Sequence, residues 1–229
     1  MTQIKAIETE YNGYRFRSRL EARWAVFFDA AGIRYEYEPE GFDMDGEYYL
    51  PDFWLPDIDD GIYVEVKGLM DESDYEKVDK FWHNGKHPLL VVGGLPTQSE
   101  LERYDIYEYV GKYEHCFEIG GPFQDGGGGC WDWPYLFCVC PACGKVGVEF
   151  DGRGWRVCGN IHRNKNLDDN TYEDEHGNVH RFEYPECAGW RTDDKGYSWN
   201  NDKLAKAYDI ARKARFEHGE TPVVSNVRQ

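Results

Sequence analysis

The sequence predicts an α/β fold, and three patterns in its first 95 residues support that prediction. Apolar residues recur at helical spacing over residues 17–31 and again over 71–84. Between these helices lie three short segments rich in aromatic and β-branched residues, at 35–40, 47–55 and 62–68. The apolar run PLLVVG at 88–93 is typical of a strand buried on both faces. The predicted order is therefore a helix, a three-stranded antiparallel meander, a helix and a strand.

Both ends of the chain are predicted to carry an amphipathic helix that stops at a glycine. The first helix ends before Gly32, and a carboxy-terminal helix over 202–218 ends at Gly219. The apolar face of the first helix comprises Leu20, Trp24, Phe27, Phe28 and Ala31. The last helix shows helical spacing at Leu204, Tyr208, Ala211 and Arg215.

The length of 229 residues predicts one domain with an appendage or two small domains. All seven cysteines lie between residues 116 and 187, and the glycine-rich stretch GGPFQDGGGG covers 120–129. Because such a stretch hardly supports regular structure, it is interpreted as a linker. The predicted division is a core over 1–119, a linker over 120–130 and a cysteine-bearing region with the last helix over 131–229.

The formal net charge of −17 argues against a protein that bulk electrostatics hold to nucleic acid. Residues 35–76 contain fifteen acidic side chains and a single basic one, Lys67. Contact with nucleic acid must therefore be local, and basic residues cluster in three other places. The predicted nucleic-acid contacts are Arg17, Arg153, Arg156, Lys206 and Lys213.

No apolar run approaches the roughly 20 residues that a membrane helix requires. The amino terminus, MTQIKAIETE, has no hydrophobic signal region. We therefore expect a soluble cytoplasmic protein with no membrane partner.

Two carboxylates are predicted to face each other in a β-hairpin. If residues 56–61 form its loop, Leu55 pairs with Ile62 and, three positions further on, Asp52 pairs with Glu65. Two carboxylates this close repel each other unless a cation lies between them, and oxygen ligands favour Mg²⁺ or Mn²⁺. Lys67 emerges on the face of Glu65, where it could stabilise a water nucleophile or a phosphate transition state.

Pro51-Asp52, Glu65-Val66-Lys67 and a preceding helix that carries Glu21 resemble the PD-(D/E)xK nuclease superfamily, in particular its phage-type members. The element order resembles that family's restriction-endonuclease-like core. The resemblance implies that Asp52, Glu65 and the Val66 carbonyl hold the metal and that Lys67 supports the attacking water. It also implies that Glu21 reaches the site, and a bacterial host cell would be the location of a phage-encoded member.

Glu21 has a second interpretation, because Ser18-x-x-Glu21 fits a capping box in which the glutamate bonds only the start of the helix. Likewise, Glu65 and Lys67 could form a solvated surface ion pair. Glu38 and Glu40 are further acids that could lie near the site.

The Cys140-x2-Cys143 pair is typical of a zinc knuckle. Cys158 is the predicted third ligand. The fourth is Cys187, because four thiolates make a closed structural site, or else His162 at a Cys-x3-His spacing. The remaining cysteines are predicted to be small buried hydrophobes: Cys116, Cys130 and Cys138.

These observations favour a Mg²⁺- or Mn²⁺-dependent nuclease that hydrolyses phosphodiester bonds, with DNA as the expected substrate and a zinc-ribbon-like appendage. One alternative is a catalytically inactive, zinc-stabilised binding module whose acidic surface contacts a protein. Another is a subunit of a larger recombination or transposition assembly, in which a protein partner or a second copy supplies DNA affinity.

Overall fold

The computed structural model describes residues 7–58, 61–68, 70–84, 88–97, 118–120, 135–139, 144–150, 171–173, 179–181 and 202–217, together with 220, 222 and 224. Within these ranges the chain forms thirteen strands and three helices. The strands are β1 (Thr9–Tyr11), β2 (Tyr14–Phe16), β3 (Glu36–Tyr37), β4 (Phe42–Met44), β5 (Glu47–Tyr49), β6 (Phe53–Leu55), β7 (Ile62–Val66), β8 (Leu89–Val92), β9 (Glu118–Gly120), β10 (Tyr135–Val139), β11 (Val146–Phe150), β12 (Thr171–Glu173) and β13 (Val179–Arg181). The helices are α1 (Arg19–Ala31), α2 (Glu72–Asn84) and α3 (Asp202–Lys213). The predicted span of 202–218 for the last helix is too long, because residues 214–216 are not helical. The predicted mixed α/β class is confirmed.

Helix α1 ends before Gly32, as its sequence predicts, and begins at Arg19, two residues later than predicted. The hydroxyl of Ser18 accepts a hydrogen bond from the Glu21 N–H, which caps the first turn. Gly32 adopts the left-handed conformation, with φ of 73°, that commonly terminates a helix. Trp24, Phe27 and Phe28 are fully buried, so this helix supplies much of the core.

A five-stranded sheet in the order β3-β6-β7-β8-β9 forms the centre of the structure. Strands β3, β6 and β7 pair antiparallel, β7 and β8 pair parallel across the α2 connection, and β9 pairs antiparallel with β8. All four residues of β8 are buried, as the apolar run predicts. The predicted strands therefore lie in one sheet, and β9, which was not predicted, forms its edge.

The predicted single strand over 47–55 is wrong, because it divides into β5 and β6 around Leu50, Pro51 and Asp52. Proline has no N–H to donate to a strand ladder, which favours the break at this point. Strand β5 pairs with β4 instead, through a turn at Asp45 and Gly46 that both have positive φ. This hairpin separates β3 from β6 along the chain, so these two strands are not a simple meander.

The predicted hairpin register is confirmed over three residue pairs, Phe53 with Val64, Trp54 with Tyr63 and Leu55 with Ile62. Gly61 closes the loop with φ of 98°, and a Cβ at this position would overlap the ring of Trp54. The register therefore depends on a glycine at this position.

Two apolar clusters cover the two faces of the sheet. Val64 and Val66 of β7 belong to the cluster that contains α1, whereas Tyr63 belongs to the cluster that contains Val78 and Phe81 of α2. Because side chains alternate along a strand, Glu65 shares the α2 face with Tyr63. The side chain of Glu65 is thus directed into the space between the sheet and α2.

Elements from the second half pack into the α1 cluster. The ring of Tyr208 in α3 stacks on Phe27 with centroids 4.3 Å apart, and Phe137 of β10 lies 5.2 Å from Phe27. Gly120, the first residue of the predicted linker, belongs to β9. The division into separate regions stays a prediction. None of the helices in the described ranges is long and apolar enough to cross a membrane.

Candidate active site

Asp52 lies just before β6 and is 4% exposed. Its Oδ2 accepts a hydrogen bond of 2.7 Å from the N–H of Val66, and its Oδ1 lies 2.9 Å from Nη2 of Arg17. The strand ladder stops at the Phe53–Val64 pair, so the side chain of Asp52, rather than its backbone, continues the contact with β7. This arrangement places the carboxylate beside the Glu65-Val66-Lys67 segment.

Glu65 in β7 is 6% exposed, and its two carboxylate oxygens have different surroundings. Its Oε1 pairs with Nζ of Lys67 at 3.1 Å, whereas Oε2 has no hydrogen-bond partner among the described residues. The hydroxyl of Tyr49 is also buried without a hydrogen bond of good geometry in the described ranges, although it interacts with the Glu65 carboxylate. Buried polar atoms without partners cost free energy, so both atoms could accommodate a bound group.

Burial raises the pKa of Asp52 well above its usual range, and the charges of Glu65 and Glu21 raise it further. Burial also raises the pKa of Glu65, although Lys67 opposes that effect. Burial also raises the pKa of the Tyr49 hydroxyl, and the negative charges of Glu65 and Asp52 raise that pKa further. The site therefore concentrates negative charge in a poorly solvated place, which favours binding of a cation.

Lys67 emerges beside Glu65, as the strand alternation predicts. Its ammonium lies between Oε1 of Glu65 and Oδ1 of Asp74, at 3.1 and 3.0 Å. Burial lowers the pKa of Lys67, but the two carboxylates outweigh that effect and raise it. Lys67 is therefore a charged group at the edge of the site, with a side chain 28% exposed.

Glu21 is 6% exposed and combines a structural contact with proximity to Asp52. Its Oε2 accepts hydrogen bonds from the hydroxyl of Tyr37 at 2.7 Å and from the N–H of Arg17 at 3.0 Å. In a reciprocal capping box the Glu21 carboxylate would accept from the N–H of Ser18. The observed bond comes instead from the N–H of Arg17, one residue earlier. The charge of Glu21 nevertheless raises the pKa of Asp52. Both interpretations of Glu21 thus retain a structural basis.

Arg17, a predicted nucleic-acid contact, pairs with acids of the site. Its Nη2 lies 2.6 Å from Oε1 of Glu38 and 2.9 Å from Oδ1 of Asp52. The side chain is 57% exposed, so it can leave these partners without unpacking the core. Glu38 has a positive φ of 47°, and its N–H donates to the carbonyl of Asp52. Glu40 instead accepts a hydrogen bond from the hydroxyl of Tyr63.

Three residues near the site were not predicted from the sequence: Tyr37, Tyr49 and Asp74. The two tyrosines carry no signal beyond the general aromatic character of strands. Asp74 carries one, because Asp71 and Asp74 at the start of a predicted helix form a pattern typical of capping.

Other predicted residues lie away from the described site or outside the described residues. Lys206 and Lys213 are exposed on α3, and Nζ of Lys213 pairs with Asp209 at 2.6 Å. Cys138 is fully buried, as predicted, and its thiol donates a hydrogen bond to the carbonyl of Gly147. The residues outside the described ranges are the predicted zinc ligands Cys140, Cys143, Cys158 and Cys187, the alternative ligand His162, and Arg153 and Arg156. Within the described ranges, no group of three or more His, Cys, Asp or Glu side chains is arranged to hold a metal ion.

Two curated proteins are similar to part of this chain. Endodeoxyribonuclease 1 of Enterobacteria phage T3 is 38% identical over 96 residues, which are 40% of this chain and 60% of that protein. Endonuclease I of Escherichia phage T7 is 39% identical over 93 residues, which are 39% of this chain and 59% of that protein. The chain thus spans about three-fifths of the length of each of these relatives. No protein-family model matches the chain, and no solved structure matches it.

Proposed function

We propose that this chain is a Mg²⁺- or Mn²⁺-dependent nuclease that hydrolyses phosphodiester bonds in DNA. The observation that carries the proposal is the pair of buried carboxylates, Asp52 and Glu65, beside the ammonium of Lys67. The names of the two phage relatives support the same activity. In this proposal α1, the β3-β6-β7 strands, α2 and β8 constitute a restriction-endonuclease-like core.

The donor set suits a hard divalent cation. Asp52 and Glu65 would hold the ion together with the carbonyl of Val66, and Oε2 of Glu65, a buried oxygen with no well-formed hydrogen bond in the described residues, would be one of its ligands. Mg²⁺ commonly binds through one or two carboxylates and keeps several waters, so a closed protein cage is not required. When bound, the ion would polarise the phosphate and lower the pKa of a water nucleophile.

The chain's own residues would orient the reactants around this position. Lys67 would hold the attacking water or stabilise the negative charge that develops on the phosphate. Arg17 neutralises Asp52 in the structure, and its exposed guanidinium could transfer to a DNA phosphate as the ion takes its place. Glu21 would keep the local charge negative and thereby favour the cation.

The test compares wild type with Asp52→Asn on plasmid and linear DNA in Mg²⁺, Mn²⁺ or EDTA. We expect wild type to cleave only with metal and the variant to lose at least about a hundredfold in rate, because it lacks one of the two charged ligands. Asp57→Asn is the matched control, since Asp57 forms an exposed ion pair with Arg34. Equal cleavage by wild type and Asp52→Asn would assign the activity to another site or to a contaminant.

We also infer that the cysteine-bearing region binds a structural zinc ion. The proposed ligands are Cys140, Cys143, Cys158 and Cys187, with His162 as the alternative fourth ligand. Thiolate spacing supports this inference, because structural zinc sites combine such pairs in a closed tetrahedral set. Basic residues near these ligands, Arg153 and Arg156, would then add contacts to DNA.

A further inference from the structure

We propose that Asp74 is a positioning residue that holds the ammonium of Lys67 while Glu65 is engaged by the metal. This inference rests on the proposed function. It concerns a contact between the first turn of α2 and the residue after β7, seven positions apart in the sequence.

The contact is short and partly shielded from solvent. Nζ of Lys67 lies 3.0 Å from Oδ1 of Asp74, and the two side chains are 28% and 23% exposed. Ion pairs of exposed side chains contribute little, because water screens them and both side chains lose freedom. Lower exposure reduces the screening here, so this pair can fix the ammonium more firmly than a surface pair could.

Asp74 is itself held by the backbone of its own turn. Its N–H donates to Oδ1 of Asp71 at 3.0 Å, and its Oδ2 accepts from the N–H of Asp71 at 3.2 Å. One carboxylate oxygen thus serves the backbone and the other serves Lys67. Further along α2, Val78 and Phe81 are buried against the sheet, so the turn that carries Asp74 is anchored to the core.

Glu65 alone is a poor anchor for Lys67 in the proposed mechanism. In the structure Oε1 of Glu65 contacts the ammonium, and a bound metal ion would weaken the attraction of that carboxylate for Lys67. Asp74 makes no proposed contact with the ion, so its attraction for Lys67 persists when the metal binds. Orientation of a reacting group by a rigid neighbour can be worth about a hundredfold in rate when displacement is on the order of 1 Å.

The test is a double-mutant cycle of Asp74→Asn and Lys67→Ala, measured by steady-state cleavage of a labelled DNA duplex in Mg²⁺. The asparagine oxygen can still accept the N–H of Asp71, so the helix start should persist and the melting temperature should change little. We expect Asp74→Asn to lower kcat about 10- to 100-fold with KM nearly unchanged. In the Lys67→Ala background the same change should cost less than about twofold, because its effect acts through Lys67.

Glu72→Gln is the matched control, because Glu72 is an exposed acid in the same turn and its loss removes the same charge from α2. It should cleave as wild type does. Two results would refute the positioning role while wild type still cleaves. One is an unchanged kcat of Asp74→Asn, and the other is an equal loss of rate from this change in the wild-type and Lys67→Ala backgrounds. The nuclease proposal would stand in both cases. If wild type itself does not cleave, the proposed function fails first and this inference fails with it.

Discussion

Replacing Glu21 with glutamine separates its structural contact from its charge. The carboxylate accepts hydrogen bonds from the Tyr37 hydroxyl and the Arg17 N–H through a single oxygen, Oε2. The oxygen of a glutamine can accept the same two bonds, so neither donor loses its acceptor. What disappears is the negative charge beside Asp52.

The expected change in stability follows from these contacts. Hydrogen bonds to a charged acceptor are stronger than those to a neutral one by roughly 1 kcal/mol, and relief of the repulsion with Asp52 offsets part of that loss. Glu21→Gln should therefore lower the free energy of unfolding by about 1 kcal/mol or less. Glu21→Ala should cost about 2–4 kcal/mol, because it removes a buried side chain and the acceptor of the Tyr37 hydroxyl.

Urea denaturation in EDTA gives both free energies, and DNA cleavage in Mg²⁺ gives the rates. If the charge of Glu21 serves the site, Glu21→Gln should lower cleavage by at least about a hundredfold with its fold intact. Wild-type cleavage by a fully folded Glu21→Gln would refute this reasoning and leave Glu21 only its structural role as acceptor for Tyr37 and Arg17. Equal stability of the glutamine and alanine variants would refute the account of its hydrogen bonds.

Three further predictions concern other parts of the chain. Elemental analysis should find about one zinc per chain, and Cys143→Ser should lose it and destabilise the second half. DNA binding should weaken as salt rises, and Lys206→Gln should reduce the slope of log K against log salt by about one unit if Lys206 contacts a phosphate. Lys213→Gln should have a smaller effect, because Lys213 already pairs with Asp209. Burial raises the pKa of Asp29, so ionising it costs folding free energy, and wild type should lose stability relative to Asp29→Asn as pH rises above about 4.

Each of these predictions has an outcome that contradicts it. Protein prepared without chelator and found free of zinc would exclude the zinc site. Zinc loss in His162→Ala but not in Cys187→Ser would show that His162, and not Cys187, is the fourth ligand. A salt slope identical in wild type and Lys206→Gln would remove α3 from the DNA contact. Urea denaturation from pH 3.5 to 7 would measure the stability of wild type relative to Asp29→Asn. A difference that stays constant, or that shifts in favour of wild type as pH rises, would contradict the burial account of Asp29.

Several features of the fold depend only on residues that are close together in the sequence. Ser18 and Gly32 mark the ends of α1 because capping and left-handed φ act within one turn. The register of β6 with β7 follows from the loop length and from alternation, and that register brings Asp52 towards Glu65. The unpredicted break between β5 and β6 also has a local cause, Pro51, whose missing N–H cannot extend a ladder.

The side chains that complete the site come from distant parts of the sequence, and the packing of the helices against the sheet brings them together. Arg17 meets Asp52 across 35 positions, and Tyr37 meets Glu21 across 16, through the packing of α1 against the sheet. Asp74 reaches Lys67 because α2 lies on the face of the sheet that carries Glu65. Periodicity and capping patterns report the conformation and the buried face of one element, whereas such contacts depend on how two elements pack. Burial, and with it the raised pKa of Asp52, arises only from that packing.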